Sequence, residues 1–232
     1  MSSVSKYSLS PSSSAAQSFS ESASDVPILF ILCSSKSDHN PLEHSLRPIV
    51  DIARSGMTHS IYNLLLQVPY TTETRYHLRD TLTDSIVVHA VRELLKSDVH
   101  IQALSSKTTV ELDLKQASMF RRVYKFTWEG RSYRWELDRK QQLHLSRQKA
   151  GQQHKEYESI GCAKIYNPNL DQAHQTYSRF QLQPEAFDEI RDKLAFEHVT
   201  ILTLCLLIDK IGSGFATFPI IQEQSSPPLY SI

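Results

Sequence analysis

The residues best suited to chemistry are the Lys and Arg side chains that crowd the middle of the chain. Between residues 115 and 164, twelve of them stand against five acids, a local charge of +7, although the whole chain has 25 residues of each sign and a net charge of zero. Clustered cations attract phosphate and carboxylate groups. The candidate binding residues are Arg121, Lys125 and Arg134, with Lys140 and Arg147 as neighbours.

A predicted aromatic hairpin positions these cations. Two rows of apolar side chains alternate with polar ones, namely Tyr124, Phe126 and Trp128 in the first half and Tyr133, Trp135 and Leu137 in the second. If Glu129-Gly130 forms a two-residue turn, Phe126 lies opposite Tyr133, and both rows share one face of the hairpin. A slip of one residue would move one row into water, so the pattern and the register agree.

The same register places Lys125 opposite Arg134 on the other face. Like charges directly opposite each other destabilise a strand pair by up to about 1 kcal/mol, and a bound anion would relieve that repulsion. The hypothesis is a face that binds phosphate or anionic lipid headgroups. The alternative is a solvated outer face, on which Glu136 neutralises Arg134 and Asp138 lies opposite Arg121.

Other classes of site have no signal in the sequence. Nucleic-acid binding would need aromatic rings on the charged face, and the register separates the two, so no nucleic-acid partner is expected. The chain contains no H-E-x-x-H, no G-x-S-x-G, no P-loop and no zinc-like spacing of Cys and His. We therefore expect no catalytic residue, no metal and no cofactor, and predict that the protein is not an enzyme.

Several potentially reactive side chains have a structural interpretation instead. Cys33, Cys162 and Cys205 are far apart, and each lies in an apolar run. This pattern is typical of buried thiols in a reducing compartment rather than of disulfides. His198 follows Glu197 inside an apolar segment, and we expect it to be a buried histidine with a hydrogen-bond partner.

Short strands recur along most of the chain. Thr109–Leu114 alternates apolar and polar residues, which is typical of a half-exposed strand. Ile86–Lys96 fits either a strand or a helical stripe, and its β-branched start favours a strand. Short apolar or alternating runs also lie at Thr58–Leu66 and Arg75–Leu78, and further strands are predicted at Ile28–Cys33, Leu143–Arg147, Ile160–Tyr166 and Tyr177–Leu182. This spacing indicates an antiparallel barrel or sandwich.

A C-terminal helix is predicted at about residues 185–210. Pro184 suits the first turn of a helix, and acids follow it. Val199–Ile208 carries no charge on any face, so protein or lipid must enclose it. Ten residues extend about 15 Å as a helix, whereas spanning a bilayer takes about 20 residues. The helix is therefore predicted to be surrounded by the sheet.

Three segments carry a family resemblance. They are the aromatic hairpin Tyr124–Trp135, the strand Cys162–Tyr166 and the helix end Leu202–Asp209. Together they resemble the tubby C-terminal-like domain of fungal tubby-like proteins, whose distant kin include phospholipid scramblase-like and plant defence-related barrels. The resemblance implies a mainly β fold, a closed antiparallel barrel enclosing a hydrophobic C-terminal helix, and a role at membrane surfaces through phosphoinositide binding. The acidic calcium-binding segment of scramblases has no counterpart here, which argues against that activity.

The chain divides into three predicted parts. Residues 1–26 form a Ser-rich tail that we expect to be disordered, residues 27–212 the barrel domain, and residues 213–232 a C-terminal extension. No cleavable signal precedes the first apolar run, so a cytoplasmic location with docking at the membrane periphery is expected. The competing prediction is a protein-interaction scaffold without lipid affinity, which binds its partners through barrel loops and the tail.

Overall fold

The structure, a computed structural model, describes eight stretches of the chain. They cover residues 26–35, 46–67, 73–93, 96–104, 108–118, 122–149, 156–166 and 176–211. The predicted extension at 213–232 lies outside them, as does the predicted tail apart from Val26.

Twelve strands and one α-helix are present in these stretches. The strands are β1 (Ile28–Ser34), β2 (Arg47–Arg54), β3 (Tyr62–Gln67), β4 (Glu73–Asp80), β5 (Ser85–Glu93), β6 (Val99–Leu104), β7 (Thr109–Ser118), β8 (Val123–Trp128), β9 (Arg131–Leu137), β10 (Gln142–Gln148), β11 (Tyr157–Ile165) and β12 (Thr176–Leu182). A 3-10 turn at Pro184–Phe187 leads to α1 (Lys193–Ile211). The ambiguous Ile86 segment is thus a strand, β5, as favoured, whereas β2 and β6 were not predicted.

The strands form a closed antiparallel barrel. Each strand pairs with the next along the chain, and β12 pairs with β1. Closure leaves no open sheet edge on which another chain could add a strand. The fold class predicted from short alternating segments is therefore confirmed, in its barrel form.

The β8–β9 hairpin has the predicted register. Phe126 pairs with Tyr133, and Tyr124 pairs with Trp135. Glu129 and Gly130 both have positive φ angles, 47° and 77°, as a two-residue hairpin turn of the primed type requires. Both rows point into the barrel; their five aromatic side chains are almost completely buried, and Leu137 is half-buried.

The barrel encloses α1. Every residue from Ala195 to Asp209 is buried, so the helix meets protein on all sides. Trp135 Nε1 donates a hydrogen bond to Thr203 Oγ1 at 3.1 Å, and the Tyr133 and Phe196 rings lie 4.9 Å apart. The prediction that protein must surround the uncharged helix is confirmed.

The predicted start of this helix, near residue 185, is wrong. Asp188 is extended and Glu189 is left-handed (φ 62°), so the chain turns between the 3-10 turn and α1. Asp192 then accepts a hydrogen bond from Ala195 N at 3.0 Å and caps the helix. The break is needed because the chain must leave the barrel wall after β12 and turn back into the lumen.

The β8–β9 turn holds the segment that leads into α1. The Glu129 carboxylate accepts hydrogen bonds from the backbone N–H of Arg191 at 3.0 Å and of Asp192 at 3.2 Å. Arg131 also forms an ion pair with Glu189. We call this end of the barrel the entry end and the opposite end, where α1 finishes, the exit end.

Candidate functional site

Three cations form a row across the outer wall of the barrel. Lys115 on β7 pairs with Lys125 on β8, which pairs with Arg134 on β9. Their sequence neighbours Leu114, Tyr124 and Trp135 are buried inside the barrel, so these three side chains point outwards. The predicted opposition of Lys125 and Arg134 is confirmed. We call Lys115, Lys125 and Arg134 the basic row.

An aromatic ring from a distant strand holds Arg134 in place. The Arg134 guanidinium carbon lies 4.3 Å from the centre of the Tyr157 ring, and Lys125 Nζ lies 5.9 Å from the same centre. The Tyr157 hydroxyl is 3.4 Å from Ser132 Oγ on β9, which anchors the ring across the wall. Stacking leaves the edge of a guanidinium free to face an anion. In Arg134 that edge is the Nη end, because Nε is buried without a hydrogen-bond partner among the described residues.

Acidic neighbours neutralise the basic row only in part. Glu136 approaches Arg134 to 3.4 Å, and Asp113 approaches Lys115 to 3.4 Å. No carboxylate of a described residue forms an ion pair with Lys125. Exposed pairs of this kind contribute about 0–1 kcal/mol each. The predicted contact between Glu136 and Arg134 therefore exists, but the row keeps a net positive charge.

Two of the other three predicted binding residues, Lys140 and Arg147, do not join this row. Arg121 lies outside the described residues. Lys140 is exposed in the turn after β9, at the exit end, beyond the strands that carry the row. Lys140 therefore does not extend the candidate site.

The placement of Arg147 on the outer face is wrong. Its side chain is only 8% exposed; Nε and Nη2 donate to Glu158 Oε1 at 2.8 and 2.6 Å, and Nη1 donates to the Asp188 carbonyl at 3.0 Å. The reason is strand alternation, because Arg147 has the same parity as the buried residues Leu143 and Leu145. Arg147 therefore stabilises the turn before α1 from inside the barrel, through its hydrogen bond to the Asp188 carbonyl.

Two buried carboxylates hold the two halves of α1. Near the entry end, Glu197 accepts hydrogen bonds from Arg54 Nη2 at 2.8 and 2.9 Å and from the Tyr62 hydroxyl at 2.9 Å. Near the exit end, Asp209 accepts hydrogen bonds from the Tyr76 hydroxyl at 2.7 Å and from Arg92 Nη1 at 2.9 Å. The two sites repeat one arrangement, a carboxylate held by one Tyr and one Arg from the wall.

These clusters are built for structure rather than for proton transfer. Burial, and then the charge of the neighbouring carboxylate, raises the pKa of both the Tyr62 and the Tyr76 hydroxyls. His198, predicted to be buried with a partner, lies 3.2 Å from the Tyr62 hydroxyl through Nε2. Burial lowers the pKa of His198 to about 4, so the ring is neutral at physiological pH.

The thiols offer little reactivity. All three cysteines are free; Cys205 is fully buried, and Cys33 and Cys162 are half-buried rather than buried as predicted. Burial raises the pKa of the Cys162 and Cys205 thiols, which disfavours the nucleophilic thiolate. In the described part of the chain, no group of three or more His, Cys, Asp or Glu side chains is arranged to hold a metal ion.

A groove of about 430 Å³ lies on the outer wall beside the basic row. It crosses β4 to β7 near the exit end and is lined by Glu73, Arg75, Val91, Glu93, Lys96, Asp98, His100 and Asp113. Its four carboxylates outnumber its two permanent cations, which gives the lining a net charge of −2. Sequence reasoning missed this groove because its residues come from four strands and one loop.

Comparison with protein-family models, with curated proteins and with solved structures gives no match. The closed barrel and its enclosed helix therefore rest on the structure itself, and membership of a tubby-like family stays a prediction. Among the described helices, none is both long enough and apolar enough to cross a bilayer.

Proposed function

We propose that this barrel is a non-enzymatic, tubby-like domain that docks on membranes by binding the phosphate groups of anionic lipid headgroups, phosphoinositides in particular. The basic row is the binding surface. The observation that carries the proposal is the direct cross-strand opposition of Lys115, Lys125 and Arg134, with the guanidinium oriented by Tyr157. Like charges placed directly opposite each other destabilise paired strands, and a bound anion would relieve this repulsion. The presence of three such cations therefore favours a bound anion.

The expected ligand follows from the chemistry of the row. Arg134 offers a planar fork that matches two phosphate oxygens, and the two lysines add mobile point charges on one side of it. Each Lys or Arg close to an anionic membrane contributes about 1 kcal/mol of attraction. The three cations together are therefore enough for reversible, salt-sensitive docking rather than for permanent anchoring.

Vesicle co-sedimentation tests this proposal. The full chain is mixed with vesicles of phosphatidylcholine alone, with added phosphatidylserine, and with added phosphatidylinositol bisphosphate at matched surface charge. We expect binding to both anionic vesicles, stronger to the phosphoinositide, and a steady loss as salt rises. The variant Lys125→Glu/Arg134→Glu should bind at least about 30-fold more weakly, because two contributions of about 1 kcal/mol are lost.

A matched control separates the basic row from total charge. Lys149→Glu/Lys193→Glu changes the net charge by the same amount at two exposed positions near the entry end, and it should leave vesicle binding nearly unchanged. Tyr157→Leu changes no charge and should weaken phosphoinositide binding about 2- to 5-fold, the value of an exposed cation–π contact. Binding that survives reversal of Lys125 and Arg134 would contradict the proposal.

The competing function, a protein-interaction scaffold, has one observation in its favour. Leu82 (92% exposed), Met57 (45%) and Leu104 (55%) all lie at the entry end of the barrel. The turns that carry Leu82 and Met57 are joined by a hydrogen bond from Thr81 N to the Ile61 carbonyl at 3.0 Å. Wild-type protein that binds none of the vesicles would favour the scaffold.

A further inference from the structure

The outer wall of the barrel has an acidic half beside the basic row. Strand pairing places Glu73 directly opposite Glu93, at the edge of the acidic groove. Asp98 immediately precedes Val99, which pairs with Leu114, so Asp98 comes beside Lys115 at the boundary between β6 and β7. Across six neighbouring strands the wall therefore carries three acids, on β4, on β5 and just before β6, with the bases Arg75 and Lys96 among them. Three bases follow on β7, β8 and β9, with the acids Asp113 and Glu136 among them.

Both halves carry repulsion within themselves. Glu73 opposes Glu93, and Lys115 opposes Lys125, each in direct cross-strand register. Local partners soften this repulsion, since Arg75 lies 3.2 Å from Glu73 and Lys96 lies 2.7 Å from Glu93. With Asp113 counted on its own strand, β7, the acidic side keeps a net charge of −1, and the basic row together with Asp113 and Glu136 keeps a net charge of +1. Each half is thus the electrostatic complement of the other.

We propose that two copies of this chain associate about a two-fold axis that runs over the outer surface of the wall, parallel to the strands, along the boundary between β6 and β7. A two-fold axis brings the same surface of both copies together. With the axis at the boundary between the two halves, the acidic half of each copy faces the basic half of the other copy. Lys115 and Lys125 of one copy then enter the groove lined by Glu93 and Asp98 of the other. The same contact forms twice.

A second copy complements the acidic and the basic side of this wall at the same time. A small anion would neutralise the basic row alone, and a basic peptide would neutralise the groove alone, whereas a second copy of the chain would neutralise both. The wall is convex, so direct contact is confined to the strands nearest the axis, β5 to β8, while Glu73 on β4 and Arg134 on β9 act on the second copy as charges at longer range. We therefore expect a small interface, below about 1,200 Å² in total, that depends on ionic strength.

Analytical ultracentrifugation of the full chain, without lipid, tests the association. We expect dimers at about 10 mM salt, where charges act over about 30 Å, and monomers at about 1 M salt, where they act over about 3 Å. Glu73→Lys/Glu93→Lys and Lys115→Glu/Lys125→Glu should each be monomeric, with dissociation constants raised at least about 30-fold, because symmetry doubles every reversed contact. An equimolar mixture of the two variants should restore a dimer.

Two controls keep this test decisive. Glu73→Gln/Glu93→Gln removes the charges without reversing them, should fold as the wild type does by circular dichroism, and should weaken the dimer. Lys149→Glu/Lys193→Glu should leave it unchanged. A wild type that stays monomeric at low salt, or a dimer that withstands both reversals, would overturn the proposal.

The association does not rest on the proposed lipid binding, and the two can fail separately. Glu73→Lys/Glu93→Lys should abolish the dimer yet leave vesicle binding intact or raise it, since it adds positive charge beside the basic row. Loss of the dimer without loss of vesicle binding in this variant is the expected result. A dimer whose wild type binds none of the anionic vesicles would leave the association standing and contradict the lipid proposal alone.

Discussion

His198 should make the stability of the barrel depend on pH between about 4 and 6.5. The Tyr62 hydroxyl donates its only proton to Glu197, so the Nε2–H of His198 must donate to the Tyr62 oxygen. Protonation would then add a proton at Nδ1, which is buried without a hydrogen-bond partner among the described residues. Burial accordingly lowers the pKa from 6.5 to about 4, although the charges of Asp80 and Asp192 act in the opposite direction.

The sign and the size follow from linkage. Between pH 6.5 and 4 the unfolded chain binds a proton at His198 and the folded chain does not, so the free energy of unfolding falls as the pH falls. One pKa unit corresponds to about 1.36 kcal/mol, which gives a loss of about 2 kcal/mol at pH 5 and about 3 kcal/mol below pH 4. Above pH 6.5 the histidine contributes no pH dependence.

Urea unfolding at about pH 7.5, 6 and 5 measures this loss, with the fluorescence of the buried Trp128 and Trp135 as the signal. His198→Gln keeps a donor for Tyr62 but cannot titrate, so its stability should fall by about 2 kcal/mol less than that of the wild type over this range. His59→Gln, at an exposed position, is the control and should follow the wild type. Parallel pH profiles for the wild type and His198→Gln would refute the reasoning.

Substitutions at three further positions test how the barrel holds its helix and its hairpin. Glu197→Gln should lower the free energy of unfolding by about 2 kcal/mol in urea titrations, less than a fully buried pair would lose because the Arg54 side chain is 36% exposed. Gly130→Ala should lower the free energy of unfolding by about 1 kcal/mol, seen as a lower melting temperature. The cause is the positive φ of +77° rather than a clash, because no atom lies near the added Cβ; Gly130→Asn should lower the free energy of unfolding less. Leu206→Ala should cost about 2–5 kcal/mol in the same urea assay through the cavity it leaves beside the wall, and a loss below 1 kcal/mol would argue against tight enclosure of the helix.

The parts of the fold that sequence predicts well are those set by local patterns. The β8–β9 hairpin is predictable because turn length and aromatic parity independently require the same register. The enclosure of α1 is predictable because an uncharged ten-residue run is too short for a bilayer and too apolar for water. Each conclusion needs only neighbours in the sequence.

The parts that sequence predicts poorly depend on pairing across loops. Tyr157 is 23 residues from Arg134, and nothing near either residue indicates that they stack. Glu197 and Asp209 look like the polar limits of an apolar segment, yet both are buried against Arg and Tyr partners on early strands. The inward position of Arg147, in contrast, has a readable signal in its parity.

The contacts that Glu197 and Asp209 make with the early strands also affect how a newly synthesised chain folds. Arg54 and Glu197 are 143 residues apart, and Tyr76 and Asp209 are 133 apart, so the first four strands find their lumen partners only after all twelve strands have left the ribosome. Until residues 193–211 arrive, the rolled sheet has an unfilled apolar interior. We expect such a polypeptide to fold slowly, in one late cooperative step, and to rely on chaperones while α1 is still being synthesised.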